Sequence, residues 1–353
     1  MLIETEKCIY DIGFQHCQIE ITGKCNMRCK HCRAWEEARV DLSMKDINNL
    51  LDFFVAEARG EQRVTVSGGE PFLNKNIVDI ISLIHKKGIN NIIITTNASV
   101  VTEEDIKQLE NLNIPNLSIQ VSLDSHVEAE HDEFRGYKGA YKSAIRLLEK
   151  CAKSSKLISS MRVSVTPDRI NQIEDMVNLA LKIGCQRIGL GSIIPVGRAS
   201  DKKLCMNVLQ KKDFIKKISE LRRRYPRMDI TTEDPLKFAC GDFTTWDIGE
   251  GIDIHSESTI GGCTAGITGF NVSSDGYITP CAVFFKNITN IIGKTPEDIQ
   301  KEYCKSPLVK DLLKRDFDGK CGKCELKRIC GGCRATAYGM TGSYKASDIT
   351  CWR

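Results

Sequence analysis

The chain has 353 residues, 41% hydrophobic and 27% charged, with a formal net charge of +4. These are the proportions of an ordinary folded protein, the length exceeds what one hydrophobic core sustains, and the charge is too small to argue for a nucleic-acid partner. No apolar run reaches the ~18 residues of a membrane span, and the N-terminus lacks a signal peptide's apolar stretch, so a cytoplasmic protein with no membrane partner is expected. Seventeen cysteines in a reducing compartment point to metal ligands or free thiols rather than disulfides.

In chain order, the pattern predicts a strand at Gln18–Ile21, a helix at Asp46–Glu57 and a strand at Arg63–Val66. A helix at Lys75–Lys87, a strand at Asn91–Thr95 and a helix at Glu103–Glu110 follow. Next come a strand at Leu117–Ser122, a helix at Ala140–Lys153, a strand at Met161–Thr166, a helix at Asn171–Ile183 and a sixth strand at Arg187–Leu190. This alternation predicts an α/β fold with a parallel sheet and right-handed crossovers, its chemistry at the C-terminal strand ends. After Pro195-Val196-Gly197-Arg198 an amphipathic helix is expected at Val208–Arg224. It sets Phe214, Ile215, Ile218 and Leu221 on one face and Lys211, Lys212, Lys216, Lys217 and Arg222–Arg224 on the other. Beyond about residue 235 the chain is rich in Gly and Cys. Phe270–Ser273 and Tyr277–Thr279 flank a hairpin turn at Ser274-Asp275-Gly276, and one further helix is expected near Pro296–Leu313.

Cys25, Cys29 and Cys32 form a Cys-x3-Cys-x2-Cys run just after the first strand, with no fourth cysteine close by. Four thiolates close a four-iron–four-sulfur cubane; three leave one iron open to a small molecule. The rival reading is a zinc site completed by His31 or a distant cysteine. The next strand ends in Ser67-Gly68-Gly69-Glu70-Pro71. Adjacent glycines let backbone approach a ligand closely, and Glu70 offers an acceptor for an ammonium.

With these motifs, residues 15–200 resemble the radical S-adenosylmethionine (SAM) superfamily. The resemblance implies a partial (β/α)6 barrel in which Cys25, Cys29 and Cys32 hold a four-iron–four-sulfur cluster. Its open iron would chelate SAM, and one electron would yield a 5′-deoxyadenosyl radical that takes hydrogen from substrate. Carried over, Gly68, Gly69 and Glu70 would hold the methionyl amine. Thr96, Asn97, Ser122 and Asp124 would face the carboxylate and ribose, Arg135 would approach the carboxylate, and Thr166, Leu190 and Gly191 would line ribose and adenine. The family usually has an aromatic where this chain has His31, which can still stack.

The C-terminal cysteines resemble the SPASM extension of these enzymes, which carries two auxiliary four-iron–four-sulfur clusters and so implies three clusters in all. By that resemblance Cys321, Cys324, Cys330 and Cys351 close the outer cluster, and Cys263, Cys281 and Cys333 bind the inner one, with Cys240 the candidate fourth ligand. The x5 gap between the Cys321/Cys324 and Cys330/Cys333 pairs is shorter than zinc modules use. The expected domains are a core at 1–200, a bridging helical region at 201–250 and the cluster domain at 251–353. Among the other cysteines, Cys205 and Cys240 fall between the two cluster regions and are candidate hydrogen donors to a substrate radical.

The resemblance implies an oxidoreductase acting on a peptide or protein side chain, of the ribosomal-peptide maturase type, forming a thioether, a crosslink or an oxidised residue. An external donor such as flavodoxin or ferredoxin would supply electrons. Only 24 residues precede Cys25, so either leader recognition is expected from a separate protein or the substrate is not a leader-bearing peptide. The alternatives are a small-molecule enzyme, such as a haem-pathway decarboxylase or carbohydrate dehydrogenase, and a non-catalytic iron–sulfur carrier or sensor.

Overall fold

A computed structural model describes residues 1–6, 8–34, 39–241 and 259–353. A short hairpin, β1 (Leu2–Glu4) and β2 (Ile9–Asp11), precedes the main sheet. The α/β core then runs β3 (Phe14–Thr22), α1 (Met44–Ala56), β4 (Ala58–Gly68), α2 (Ile77–Lys86), β5 (Asn91–Thr96), α3 (Glu103–Asn111) and β6 (Asn116–Ser122). It continues through α4 (Glu128–Arg135), α5 (Ala140–Lys153), β7 (Ile158–Val165), α6 (Ile173–Ile183), β8 (Arg187–Ser192), α7 (Val208–Arg224) and β9 (Asp229–Thr231). The C-terminal part supplies β10 (Gly269–Val272), β11 (Tyr277–Thr279), β12 (Thr289–Asn290), α8 (Pro296–Lys305), α9 (Pro307–Lys314), α10 (Gly319–Lys323) and α11 (Arg334–Thr341).

All six expected core strands form and pair in parallel from β3 to β8. Two more parallel strands extend the sheet. β9 adds to β8, and β10 adds to the free edge of β3 with Gly269 opposite His16 and Asn271 opposite Gln18. The order is β12-β11-β10-β3-β4-β5-β6-β7-β8-β9, and among the described residues the two edge strands β9 and β12 do not pair with each other, so the curved sheet stays open. The C-terminal hairpin is thus continuous with the sheet that carries the first cysteine loop. The expected domain boundary at 250/251 lies outside the described residues.

Most of the core strands alternate, β5 with its Ile92-Ile93-Ile94 run being an exception. Cys17, Ile19, Ile21, Val64, Val66, Ile92, Ile94, Leu117, Ile119, Val121, Met161, Val163, Ile188 and Leu190 are buried against the helices. The opposite positions carry His16, Gln18, Glu20, Arg63, Thr65, Ser67, Gln120, Ser160, Arg162 and Ser164. Parallel strands covered on both faces normally read as unbroken apolar runs. Period-two alternation here means that the inner face bounds polar space.

Beyond the added β1–β2 hairpin, β9, α10 and α11, three features depart from expectation in ways that matter here. The helix expected near Pro296–Leu313 is two helices, because Ser306 precedes Pro307 and takes an extended ψ of 119°. Helix α4 was not anticipated. Its acidic sequence shows little periodicity, yet it buries His131, Phe134 and Arg135. Helix α7 forms with the expected bounds, but Lys211 belongs to its buried face rather than its basic one. Its Nζ pairs with Asp234 at 2.6 Å and donates to Ser192.

Candidate active site

The three-cysteine loop leaves the C-terminal end of β3 and packs with Met27 and Ala140. Three elements hold it. From β4, Gly69 N donates to Thr22 O and Glu70 N to Lys24 O, both at 2.8 Å. A Cβ on Gly68 would lie 2.1 Å from Thr22 O, and one on Gly69 would lie 2.1 Å from Lys24 O. Only a Gly-Gly pair lets the β4 end lie flush against the loop. From α4, His31 stacks on Phe134 with ring centroids 4.6 Å apart at 8°, and Lys30 N donates to Phe134 O at 2.9 Å. From the segment after β8, Arg198 donates through its backbone to Cys32 O at 3.0 Å and through Nη1 to Arg28 O at 2.8 Å.

Glu70 is fully buried and serves as a clamp between strand ends. It accepts from Thr96 Oγ1 at 2.7 Å, Asn97 N at 2.7 Å and Phe72 N at 3.2 Å. Burial pushes its carboxyl up to about 7, against those hydrogen bonds and the Arg135 charge. Thr96 is likewise spent on the scaffold, since its hydroxyl also accepts from Ala98 N at 3.0 Å. Asn97 turns its amide toward Asn26 Oδ1 at 3.1 Å and Cys25 Sγ at 4.0 Å.

Arg135 and Asp124 form a buried pair, Nε to Oδ2 at 2.6 Å, while Arg135 Nη1 reaches Cys29 Sγ at 3.8 Å. Asp124 also accepts from Ser164 N at 2.8 Å. Burial alone would raise the Asp124 carboxyl, but Arg135, His31, His131 and the Ser164 amide together hold it down at about 2. Burial lowers His31 to about 4, so the imidazole stacked on Phe134 is neutral. Ser122 lies on the inner face opposite Arg162. Thr166 Oγ1 and His31 Nδ1 are buried without a hydrogen-bond partner, as groups awaiting a ligand would be. Leu190 corrects the expectation for its side chain, which is fully buried among the outer apolar residues. At that level only Gly191 and backbone face inward.

The C-terminal cysteines fall into two neighbourhoods. Cys263, Cys281 and Cys333 lie close enough for each charge to affect the others, as do Cys330 with Cys351 and Cys321, and Cys351 with Cys324. Sulfurs in both regions accept backbone N–H groups: Cys25 from Met27 at 3.5 Å, and Cys324, Cys330 and Cys333 from Leu326, Gly332 and Thr336 at 3.4 Å. Such bonds favour thiolates and tune iron–sulfur clusters. Two buried arginines knit the loops. Arg315 donates to the carbonyls of Lys327, Arg328 and Cys263, at 2.6, 3.0 and 2.9 Å. Arg334 donates to those of Tyr344 and Ala346 and approaches Cys321 Sγ at 3.6 Å. Buried cations beside cysteines suit an anionic thiolate cluster.

Among the described residues no three His, Cys, Asp or Glu side chains are grouped to hold a single metal ion. None of the seventeen cysteines forms a disulfide. Cys205 packs with Phe134, Ile193 and Ala199. Cys240 lines a surface groove with Lys216, Glu220, Arg223 and Trp352. The sequence reading missed Arg33, Arg198 and His131; only their nearness to motif residues hinted at them.

Strand-end loops, a three-thiol loop and a Gly-Gly edge on an open parallel sheet define a radical SAM enzyme. Residues 19–191 match the radical SAM superfamily, and the chain belongs to it. Membership implies SAM and a four-iron–four-sulfur cluster. The chain is 26% identical to an AdoMet-dependent heme synthase of Oleidesulfovibrio alaskensis, over 94% of this chain and 85% of that protein. It is 24% identical to the antilisterial bacteriocin subtilosin biosynthesis protein AlbA of Bacillus subtilis, over 96% of this chain and 70% of that one. The fold matches Streptococcus suis SuiB, solved bound to precursor peptide SuiA, with a TM-score of 0.75, 18% identity and coverage of 97% and 76%. Among the described residues no helix is long and apolar enough to cross a membrane.

Proposed function

We propose that this enzyme oxidatively modifies a peptide or protein side chain. The carrying observation is the direct physical continuity between the two cysteine regions. Strand β3, which leads into Cys25, is hydrogen-bonded to β10 of the C-terminal part. Relatives named for bacteriocin biosynthesis and a fold neighbour solved with a precursor peptide support a peptide substrate. The open side of the sheet gives an extended chain a way in.

In this reading Cys25, Cys29 and Cys32 hold the SAM-binding cluster, Cys321, Cys324, Cys330 and Cys351 hold an outer auxiliary cluster, and Cys263, Cys281 and Cys333 an inner one. Held there, the cluster and SAM would supply radical chemistry that removes a hydrogen atom from substrate. The Gly68–Gly69 edge brings backbone against the cofactor's amine, and Glu70 keeps that edge in place. Arg135, oriented by Asp124, presents a fixed positive charge beside Cys29. Thr166 and His31 offer their unpartnered polar atoms, and Phe134 with His31 walls off water. Burial pushes the Cys205 thiol up to about 11. It therefore keeps its proton, as a hydrogen-atom donor must. Cys240 remains a candidate for the inner cluster's fourth ligand or a second donor, and a flavodoxin or ferredoxin is the proposed electron source.

A small-molecule reading is favoured by one observation: the heme synthase relative covers 94% of this chain. Anaerobic reconstitution with iron and sulfide, then reductant and SAM, tests the shared core. 5′-Deoxyadenosine should form in the wild type and vanish on Cys29→Ala. A wild type that forms none sinks both readings.

A further inference from the structure

The inner face of the sheet carries more charge than cofactor binding needs. Arg63 on β4 and Arg162 on β7 both point into the interior, Arg63 beside His16 of β3. Arg162 spans β8, where an ideal Cβ on Gly191 would lie 2.7 Å from its Nη2 and one on Gly189 3.1 Å from its Nη1. The two glycines keep a trough open for this guanidinium. Among the described residues neither arginine makes an ion pair or hydrogen bond, and Arg63 Nε is buried without a partner. Glu233 feels both of their charges but pairs with neither.

The surroundings are built for a polar guest. Ser118 and Ser160 are 2% and 0% exposed, and their hydroxyls, on the inner face, have no partner. Asn271 Oδ1, on β10 at 2% exposure, is likewise unpartnered. Burying such groups dry would cost roughly 1–3 kcal/mol each, so each calls for a partner from water or a bound polar group. Arg63, Arg162 and the Lys237 ammonium all act on the one carboxylate of Glu233, so positive charge is in excess here even though burial lowers His16 to about 4 and keeps it neutral. Arg33 and Glu20 at the next level cancel each other at 2.8 Å.

We propose that Arg63 and Arg162 bind a carboxylate of the substrate inside the barrel, with Glu233 as the resident counter-charge it displaces. The inference deepens the function proposed above and rests on it for the word substrate, but the site itself stands on these side chains. A planar carboxylate matches the guanidinium fork, and the serine hydroxyls donate to its remaining lone pairs.

The test uses full-length reconstituted protein and sodium acetate and sodium glutarate as probes. Acetamide and glutaramide serve as neutral controls, and sodium chloride matches ionic strength. Thermal unfolding midpoints should rise saturably with the carboxylates alone. Arg63→Gln and Arg162→Gln should each weaken the apparent affinity by about tenfold, the loss of a charged hydrogen bond. Arg162→Lys should recover part of it, and Glu233→Gln should tighten it severalfold. Ultraviolet circular dichroism and cluster absorbance verify that each variant is folded. A carboxylate effect no larger than that of chloride or the amides overturns the proposal, as does equal binding by wild type and both glutamine variants. Wild-type 5′-deoxyadenosine formation, read separately, reports on the enzyme assignment: its absence with carboxylate binding intact would refute that assignment and leave this site standing.

Discussion

Arg33 Nη1 donates to the backbone oxygen of Ala282 at 2.9 Å. The residue after Cys32 is thereby tied to the residue after Cys281, and the same guanidinium pairs with the fully buried Glu20 at 2.8 Å. One side chain thus joins the two cysteine regions and neutralises a carboxylate inside the sheet. Removing it by Arg33→Gln strands Glu20, which should cost about 3–5 kcal/mol. Adding Glu20→Gln should recover most of that loss. Denaturant midpoints of the two single variants and the double variant measure the coupling, and additive losses would show that the pair is not energetically linked.

Glu70 gives stability a pH dependence of defined sign. Its carboxyl rises from 4.5 to about 7 in the folded protein, so the folded state holds the proton more tightly. Its contribution is full below about pH 4.5 and is lost as pH rises through 7. Glu70→Gln should flatten that part of the stability profile while weakening the clamp on Thr96 and Asn97. An unchanged slope in the variant would rule out Glu70 as its source.

Gly69→Ala should abolish SAM binding without unfolding the protein. The added methyl would press 2.1 Å from Lys24 O and 3.0 Å from Cys25 Cβ, so the loop must move. Equilibrium dialysis with labelled SAM reads the loss, and binding within twofold of wild type would contradict the tight fit.

Iron should follow the cysteine groups. Three cubanes predict about twelve irons per chain, falling by about four in the Cys25, Cys29 and Cys32 triple alanine variant. Chelation should then open the C-terminal loops first, because the buried Arg315 and Arg334 would lose the anionic clusters proposed beside them. Hydrogen exchange should rise around Cys321–Cys333 while β3–β8 stay protected. Uniform loss of protection would mean the two regions melt together.

Much of this was legible in the sequence. The six core strands, the bounds of α7 and the turn at Ser274-Asp275-Gly276 follow from local periodicity and turn chemistry. Lys211 shows why charge misleads. It lies three residues after Val208 and four before Ile215, on the apolar stripe, and a partner 23 residues away pays for its burial. Helix α4 was illegible because contacts with the cysteine loop stabilise it more than its own pattern does. The polar inner face was written in alternate positions of several strands, such as Ser160, Arg162 and Ser164 of β7, but reading it requires knowing that the sheet curves around a space. Leu190 and Gly191 sit on opposite sides for the same reason.

The pairing of β3 with β10 also bears on how the chain is made. His16 leaves the ribosome about 250 residues before Gly269, its partner across the sheet. At roughly 5–20 residues per second, that edge waits some 12–50 seconds for its neighbour. Until then the nascent barrel exposes the backbone of the very strand that leads into Cys25, an invitation to strand addition by other chains. The strand that leads into Cys25 thus gains its last neighbour only once the final quarter of the protein has begun to be made.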